Sequence, residues 1–365
     1  MSTPRFHALP VKRVSPEAAG AVAITLAIAP EQRELFRFEP GQFLTFQASI
    51  DGQEVRRTYS ISSPRSRLTQ AGEIEVGIRP VRGGVFSHWA ATQIRAGDVL
   101  AVMPPEGRFT VRRPRAIHRV GFAAGSGITP ILSIAATTLE EQPHSKFTLV
   151  YGNRRMASVM FNETLQDLKD RYADRFMMIQ ILSRQAQEVD LLQGRIDGDK
   201  VRALVAALLP AASMDEVFIC GPTAMIEATQ EALEQVGVPA NRIYSERFTT
   251  STEQARRVQA DVDAATQPVA GQSAVDLQVV VDGKTHEVPV RQGQFLLDAA
   301  LEAGLDLPYS CKGGVCCTCR CKVMRGEVRM ARNFTLTADE MAKGFVLSCQ
   351  AQALTPSVLL SYDER

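Results

Sequence analysis

The chain has 365 residues and a formal net charge of +1, from 41 Lys and Arg against 40 Asp and Glu. That balance gives no basis for a nucleic-acid or anionic-membrane partner. Hydrophobic residues make up 45%, ordinary for a globular protein, and no apolar run reaches the length of a bilayer span. The length suggests two or three domains, and residues 1–12 carry no apolar signal core.

Residues 1–112 read as an antiparallel β-barrel. Short alternating strands at 22–28, 43–47, 74–78 and 99–102 are separated by Gly and Pro. One helix is expected, at about 86–94. The tetrapeptide Arg57-Thr58-Tyr59-Ser60 carries chemistry if it lies on a strand, because residues 57 and 59 then share a face. A cation and an aromatic plane on one side suit a flavin nucleotide. Arg57 would pair with its phosphate, Tyr59 would pack on the isoalloxazine, and Ser60 would donate near the nitrogen that receives hydride. The plainer reading is a cross-strand Arg and Tyr on a barrel surface. Gly83-Gly84-Val85-Phe86-Ser87 leads into the helix. Gly83, Gly84 and Ser87 at a helix N-terminus make an anion site, or else Ser87 is a simple cap. With Arg57 they describe a pyrophosphate clamp.

Residues 113–248 alternate strands and helices, which argues a parallel sheet with helices on both faces. Strands are expected at 120–123, 147–151, 176–182 and 217–220, with one helix running to Leu139 and another over 160–172. Ala124-Gly125-Ser126-Gly127-Ile128-Thr129-Pro130 follows the first strand and opens a helix. Gly125, Gly127 and Thr129 thus have the context of a dinucleotide-phosphate loop. Pro130 replaces the third glycine of the usual pattern and suits a first helical turn. No acidic residue at the tip of the next strand is placed to hold a ribose diol. Arg154 follows that strand, and Ser183-Arg184 follows the one after. These residues suit the 2′-phosphate of NADPH better than the hydroxyl of NADH, although each arginine also fits a solvated surface. Cys220, Gly221, Pro222 and Met225 belong to a strand-to-helix junction. Cys220 at a strand tip can lie beside a nicotinamide, or be a core thiol.

Residues 249–273 are polar and small, and read as a mostly disordered connector. Residues 274–365 read as a small β-grasp-like α+β unit. Its elements are a hairpin of 275–281 and 285–290 around Asp282-Gly283, a helix over 295–303 closed by Gly304, and a last strand at 358–361. Cys311, Cys316 and Cys319 give C-x4-C-x2-C, with Cys349 distant. That is the plant-type [2Fe–2S] spacing. Three thiolates on one tight loop reach a small cluster, and the fourth closes its far side. Gly313 and Gly314 let loop amides approach the sulfurs. A four-Cys zinc site usually pairs two short knuckles. Disulfides fit poorly with 7 Cys, an odd number. Cys317 and Cys321 read as small buried side chains beside the cluster. Such thiols suit a reducing cytoplasm. Lys312, Arg320 and Lys322 ring the loop, as a docking patch for an acidic or apolar surface or as plain solvated charge.

The RxYS, GxxS, glycine-loop and CGPxxM pieces resemble the ferredoxin–NADP reductase superfamily. Glu246-Arg247-Phe248 resembles the ending common in members that carry a C-terminal ferredoxin domain. Phe38-x-Pro40-Gly41-Gln42-x-Leu44-Thr45, Asp51-Gly52-x-Glu54-x-Arg56-Arg57, Gly194-Arg195-Ile196-Asp197-Gly198 and the loop 310–316 are similar to the reductase subunits of phenylacetyl-CoA epoxidases. The resemblance implies electron transfer from NADPH through FAD and a 2Fe-2S cluster to the subunits of a di-iron oxygenase. It assigns Arg57, Tyr59, Ser60 and Ser87 to flavin, and Gly125, Gly127, Thr129, Arg154 and Arg184 to NADPH. It sets Cys220 and Glu246 near the nicotinamide. Cys317 stands where such reductases commonly have Ala or Ser. No residue run dedicated to an adenine is visible, so FMN stays open. Two rival readings are the reductase of a Rieske-type dioxygenase or demethylase, using NADH, and a non-enzymatic redox sensor. Intact flavin and nucleotide motifs argue against the sensor. No acid–base dyad or nucleophile is nominated, because the cofactors carry the chemistry.

Overall fold

The computed structural model describes residues 5–112, 117–248, 275–291 and 293–364. The expected connector at 249–273 lies outside the described residues.

The first unit is a six-stranded antiparallel sheet. Its strands are β1 (His7–Pro16), β2 (Val22–Ala27), β3 (Phe43–Ile50), β4 (Gln53–Ser60), β5 (Glu73–Ile78) and β6 (Val99–Val102), in the order β4-β3-β6-β1-β2-β5. An antiparallel bridge between Ile61 and Val76 brings the two edges together, so the sheet closes as a barrel. Leu9, Ile24, Phe46 and Val76 fill it. It carries two helices where one was expected, α1 (Arg65–Ala71) and α2 (Val85–Gln93). Only Leu68 of α1 is buried, so the helix writes no apolar stripe into the sequence. Its signals are the flanks. Pro64 precedes it, and Gly72 ends it at φ 65°, donating back to the carbonyls of Arg67 and Leu68.

The second unit is a five-stranded parallel sheet, β11-β10-β7-β8-β9. Its elements run β7 (His118–Ala124), α3 (Ile128–Glu141), β8 (Lys146–Asn153), α4 (Asn162–Arg171), β9 (Phe176–Leu182), α5 (Gly198–Ala207), β10 (Glu216–Gly221), α6 (Thr223–Gln235) and β11 (Ile243–Arg247). Ile131, Leu132 and Leu165 pack on one face. Val201, Leu204, Ile226 and Leu233 pack on the other. Helix α3 also meets the barrel, where Ser133 donates to the carbonyl of Ser63 at 2.7 Å and Thr137 accepts from the Arg65 amide at 3.1 Å. At the base of the sheet, Arg119 and Glu216 form an ion pair at 2.9 Å with both side chains fully buried.

The third unit holds β12 (Val275–Val281), β13 (Lys284–Val290), α7 (Leu296–Glu302), β14 (Arg320–Arg325), β15 (Val328–Met330), α8 (Ala338–Ala342), β16 (Phe345–Leu347), β17 (Ala351–Ala353) and β18 (Ser357–Ser361). The main sheet runs β13-β12-β18-β14-β16, and β15 pairs with β17. Asp282 and Gly283 both have positive φ, 50° and 73°, as a two-residue hairpin turn of the primed type requires.

Candidate flavin, nucleotide and cluster sites

Two candidate residues from different units meet at the seam between barrel and parallel sheet. The Ser60 hydroxyl, at the end of β4, donates to Glu246 Oε2 at 3.1 Å. Glu246 lies opposite Cys220 in the parallel register of β11 and β10. Burial pushes the Glu246 carboxyl up to about 8, with the Ser60 hydrogen bond acting the other way. The Cys220 thiol is fully buried. Burial, then the nearby Glu246 charge, push it well above its ordinary value. A neutral thiol and a carboxyl that holds its proton near neutrality thus sit at adjacent strand tips. The sequence singled out each residue but gave no sign that Ser60 and Glu246 touch.

Tyr59 stands beside this seam. Its ring lies 5.6 Å from Phe86 and 6.0 Å from Phe46, centre to centre. Phe86 is in the first turn of α2, so the start of that helix lies next to β4. Helix α2 opens after Gly84, with Ser87 inside its first turn. The Ser87 hydroxyl accepts from the Val81 amide at 3.2 Å and donates to the Gly84 carbonyl at 3.3 Å. It braces the loop that Gly83, at φ 74°, turns. Arg57 is exposed and donates to the Arg56 carbonyl at 2.7 Å.

The glycine loop runs Gly125–Gly127 as a 3-10 turn directly into α3. A Cβ on Gly127 would lie 2.2 Å from the carbonyl oxygen of Cys220, so this position admits no side chain. The Thr129 hydroxyl donates to the Ser126 carbonyl at 3.1 Å, and Pro130 lies buried in the first turn of α3. Tyr151 OH donates to the Gly125 carbonyl at 2.9 Å. Pro222 caps α6, and Met225 is buried in its first turn against Gly221. The segments after β8 and β9 run side by side. The Ser183 amide donates to the Asn153 carbonyl at 2.9 Å, and the Arg184 amide to the Arg154 carbonyl at 2.8 Å. Arg154 and Arg184 are therefore neighbours, both exposed at one end of the sheet.

All seven cysteines are unbridged. The four candidate ligands converge as two pairs. Cys311 pairs with Cys316, and Cys319 pairs with Cys349. The Cys316 thiol and the amides of Gly313, Val315 and Cys316 hold Cys311 down to about 6, against its burial. The Gly313 amide lies 3.3 Å from the Cys311 sulfur. Lys312, Gly314 and Cys317 all have positive φ, 48°, 76° and 63°, which folds the loop around the sulfurs. Ser310 Oγ and Gln350 Oε1 are buried there without a partner in the chain. Among the described residues no three His, Cys, Asp or Glu side chains gather closely enough for a single metal ion. Two separated thiol pairs, amide donors and spare buried polar atoms fit a two-iron cluster with bridging sulfides, and fit one zinc ion poorly. Cys321 is fully buried and Cys317 partly so. The three cations around the loop are each paired within the chain, Lys312 with Asp298, Arg320 with Glu340 and Lys322 with Glu364. That favours charge paired within the chain over a basic docking patch.

The oxidoreductase FAD-binding domain family matches residues 17–111, the oxidoreductase NAD-binding domain family 122–231, and the 2Fe-2S iron-sulfur cluster binding domain family 279–354. The chain is 46% identical over 367 residues to one of the subunits of the 1,2-phenylacetyl-CoA epoxidase of Escherichia coli, covering 99% of this chain and 98% of that one. It is 33% identical over 357 residues to the ferredoxin reductase component of a 3-ketosteroid-9-alpha-monooxygenase from Rhodococcus rhodochrous, covering 97% and 96%. Phthalate dioxygenase reductase shares the fold across all three units, with a TM-score of 0.60, 22% identity and 98% of both chains covered. Fold and sites define a pyridine-nucleotide oxidoreductase that uses a flavin and a [2Fe–2S] centre, and serves as the reductase component of a multicomponent oxygenase. The chain belongs to the ferredoxin–NADP reductase-type family, in the branch represented by the phenylacetyl-CoA epoxidase protein of Escherichia coli. No helix among the described residues is long and apolar enough to cross a membrane.

Proposed function

We propose that this chain is the NADPH-dependent reductase of a di-iron oxygenase that acts on phenylacetyl-CoA. The observation that carries the oxygenase assignment is the 46% identity along nearly the whole chain to a protein named as part of such an epoxidase. In this reading residues 1–112 bind FAD, 113–248 bind NADPH, 249–273 link, and 274–365 hold the cluster. When bound, the flavin takes electrons in a pair from the nicotinamide and releases them singly to a centre that accepts one at a time.

The chain's own residues would serve that exchange as follows. Arg57 and the turn of Gly83, Gly84 and Ser87 hold the flavin phosphates. Tyr59 covers the ring, and Ser60 points at its reactive edge. Gly125, Gly127, Thr129 and Pro130 shape the cradle for the nucleotide phosphates, as do Gly221, Pro222 and Met225 on the adjoining strand tip. Ser183, Arg184 and Arg154 take the 2′-phosphate. Cys220 and Glu246 border the nicotinamide. The Ser60–Glu246 hydrogen bond supports this, because it sets the flavin candidate against the nicotinamide candidates. Cys311, Cys316, Cys319 and Cys349 hold the iron. A reducing cytoplasm suits seven unbridged cysteines.

The test is reconstitution of the holoprotein with the purified oxygenase components of the epoxidase, NADPH and phenylacetyl-CoA. Substrate-dependent epoxide formation supports the reading. Failure there, together with recovered FMN and preferred NADH, would instead favour service to a Rieske-type oxygenase.

A further inference from the structure

Arg56 precedes the flavin candidate Arg57, yet on a strand its side chain takes the opposite face. It is 8% exposed, and its guanidinium reaches 250 residues along the chain. One Nη donates to the Leu307 carbonyl at 3.2 Å, and the other to Asp306 Oδ1 at 3.2 Å. Nε donates to Glu54 Oε1 at 3.0 Å on its own strand. The guanidinium carbon also lies 4.9 Å from the centre of the Phe6 ring and 4.5 Å from that of Tyr309. Phe6 belongs to the barrel, and Tyr309 stands two residues before Cys311. One planar cation thus joins the barrel to the stem of the cluster loop through both its fork and its faces, which a lysine cannot reproduce.

Two further contacts tie down the far side of the third unit. Arg108 pairs with Glu340 at 2.6 Å, and Arg247 lies over the Phe334 ring at 5.2 Å. They secure the segment after the cluster loop, whereas Arg56 secures the segment before it. Without Arg56 the segment before the cluster loop would lose these ties to β4.

We propose that Arg56 is a positioning residue for the electron step between flavin and cluster, holding the cluster loop at its working distance from β4. The inference rests on the reading that β4 borders the flavin and the four cysteines hold the cluster. In the step itself one electron leaves the reduced flavin and enters the oxidised cluster. No covalent bond forms or breaks, and NADPH supplies the electrons.

The experiment uses the full-length protein loaded with flavin and cluster. Arg56→Met, Arg56→Lys and Asp306→Arg are mixed with NADPH in a stopped-flow instrument, with flavin bleaching and cluster reduction followed separately. The Asp306 side chain is 86% exposed, so Asp306→Arg leaves both units folded while setting like charges against each other. Flavin bleaching, cluster content and both midpoint potentials should match wild type. Cluster reduction should fall about tenfold in Arg56→Met and Asp306→Arg, and less in Arg56→Lys, as the loss of a charge-assisted contact implies. The Leu305 amide, which donates to the Ala300 carbonyl at 3.1 Å, should exchange hydrogen faster in the first two. Unchanged cluster reduction in the variants overturns the proposal, whether or not amide protection is lost. Slowing matched by a shifted potential overturns it too, since driving force and not position would then be at work. A wild-type protein that binds no flavin, or whose flavin NADPH does not bleach, removes the underlying assignment instead.

Discussion

The hydroxyl of Ser60 and the carboxyl of Glu246, 186 residues apart, share a 3.1 Å hydrogen bond across the seam of barrel and parallel sheet. What faces this carboxyl is a hydroxyl and, in the adjacent strand, the buried Cys220 thiol. Burial favours the neutral acid against the pull of the Ser60 hydrogen bond, and a neutral acid can both donate a hydrogen bond and release a proton.

Glu246 should leave a signature in the pH dependence of stability and rate. Its folded value is raised to about 8, above the unfolded carboxylate range. Between those values the folded state holds a proton that the unfolded chain has released, so stability falls as pH rises through the window. Glu246→Gln removes that loss. Its melting temperature should exceed wild type only slightly near the acid end, with the gap widening until about pH 8 and then constant. The NADPH-driven bleaching of flavin should slow about tenfold or more in this variant and lose an inflection near pH 8. A gap in melting temperature that does not vary with pH would contradict the assignment.

Removal of one of the four proposed cluster ligands should separate the two halves of the electron route. Cys349→Ala should lose iron and sulfide and retain flavin. NADPH oxidation with ferricyanide, which drains the flavin directly, should persist, while cytochrome c reduction drops steeply. Equal loss of both activities would refute a flavin-before-cluster order. Cys317→Ala, beside the ligands, should keep its iron, and iron loss there would overturn the ligand set.

Nucleotide preference should reside in two neighbouring arginines. A charge-assisted contact to a phosphate is worth about 1.5–3 kcal/mol, so losing one should weaken NADPH use by roughly ten- to a hundredfold. The measurement is kcat/KM for NADPH and NADH in Arg154→Ala and Arg184→Ala. NADH has no 2′-phosphate and should be used almost as before. Preserved wild-type ratios in both variants would make these arginines ordinary surface residues.

The buried Arg119–Glu216 pair should behave as an all-or-none element. Glu216 accepts from Arg119 and from the Arg112 amide, while Arg119 also donates to Gln142 at 2.7 Å. Glu216→Ala leaves an uncompensated buried cation and should destabilise the parallel sheet by about 3–5 kcal/mol. Replacing both together, as Arg119→Met with Glu216→Leu, should recover most of that. Hydrogen exchange of β7 and β10 amides reads the effect locally, and a double variant no better than the single would refute it.

Much of this was legible in the sequence because it is local. The Cys spacing, the strand–glycine–helix passage at 124–130 and the Asp282-Gly283 turn each occupy a short run and obey a stereochemical rule. Helix α1 escaped because it buries one leucine and follows a proline, leaving only its flanking signals. Strand β4 is largely polar, as an edge strand can be, so its sequence showed a motif but little alternation. Arg56 and Glu340 were invisible for a different reason. Their partners in the other units lie more than two hundred residues away, and no spacing rule connects them. The cations at 312, 320 and 322 read equally well as docking charge or as paired charge in sequence, and only the fold brings Asp298, Glu340 and Glu364 beside them.

The position of β18 sets an order of assembly. It is the middle strand of the cluster unit's main sheet, pairing with β12 on one side and β14 on the other, yet it is the last of that unit's strands in chain order. On a translating ribosome the β12–β13 hairpin and the β14–β16 pair remain two fragments until residues 357–361 emerge. The barrel and the parallel sheet, synthesised first, are free to fold meanwhile. The shell around the thiols at 311, 316, 319 and 349 is therefore complete only once β18 has joined the sheet.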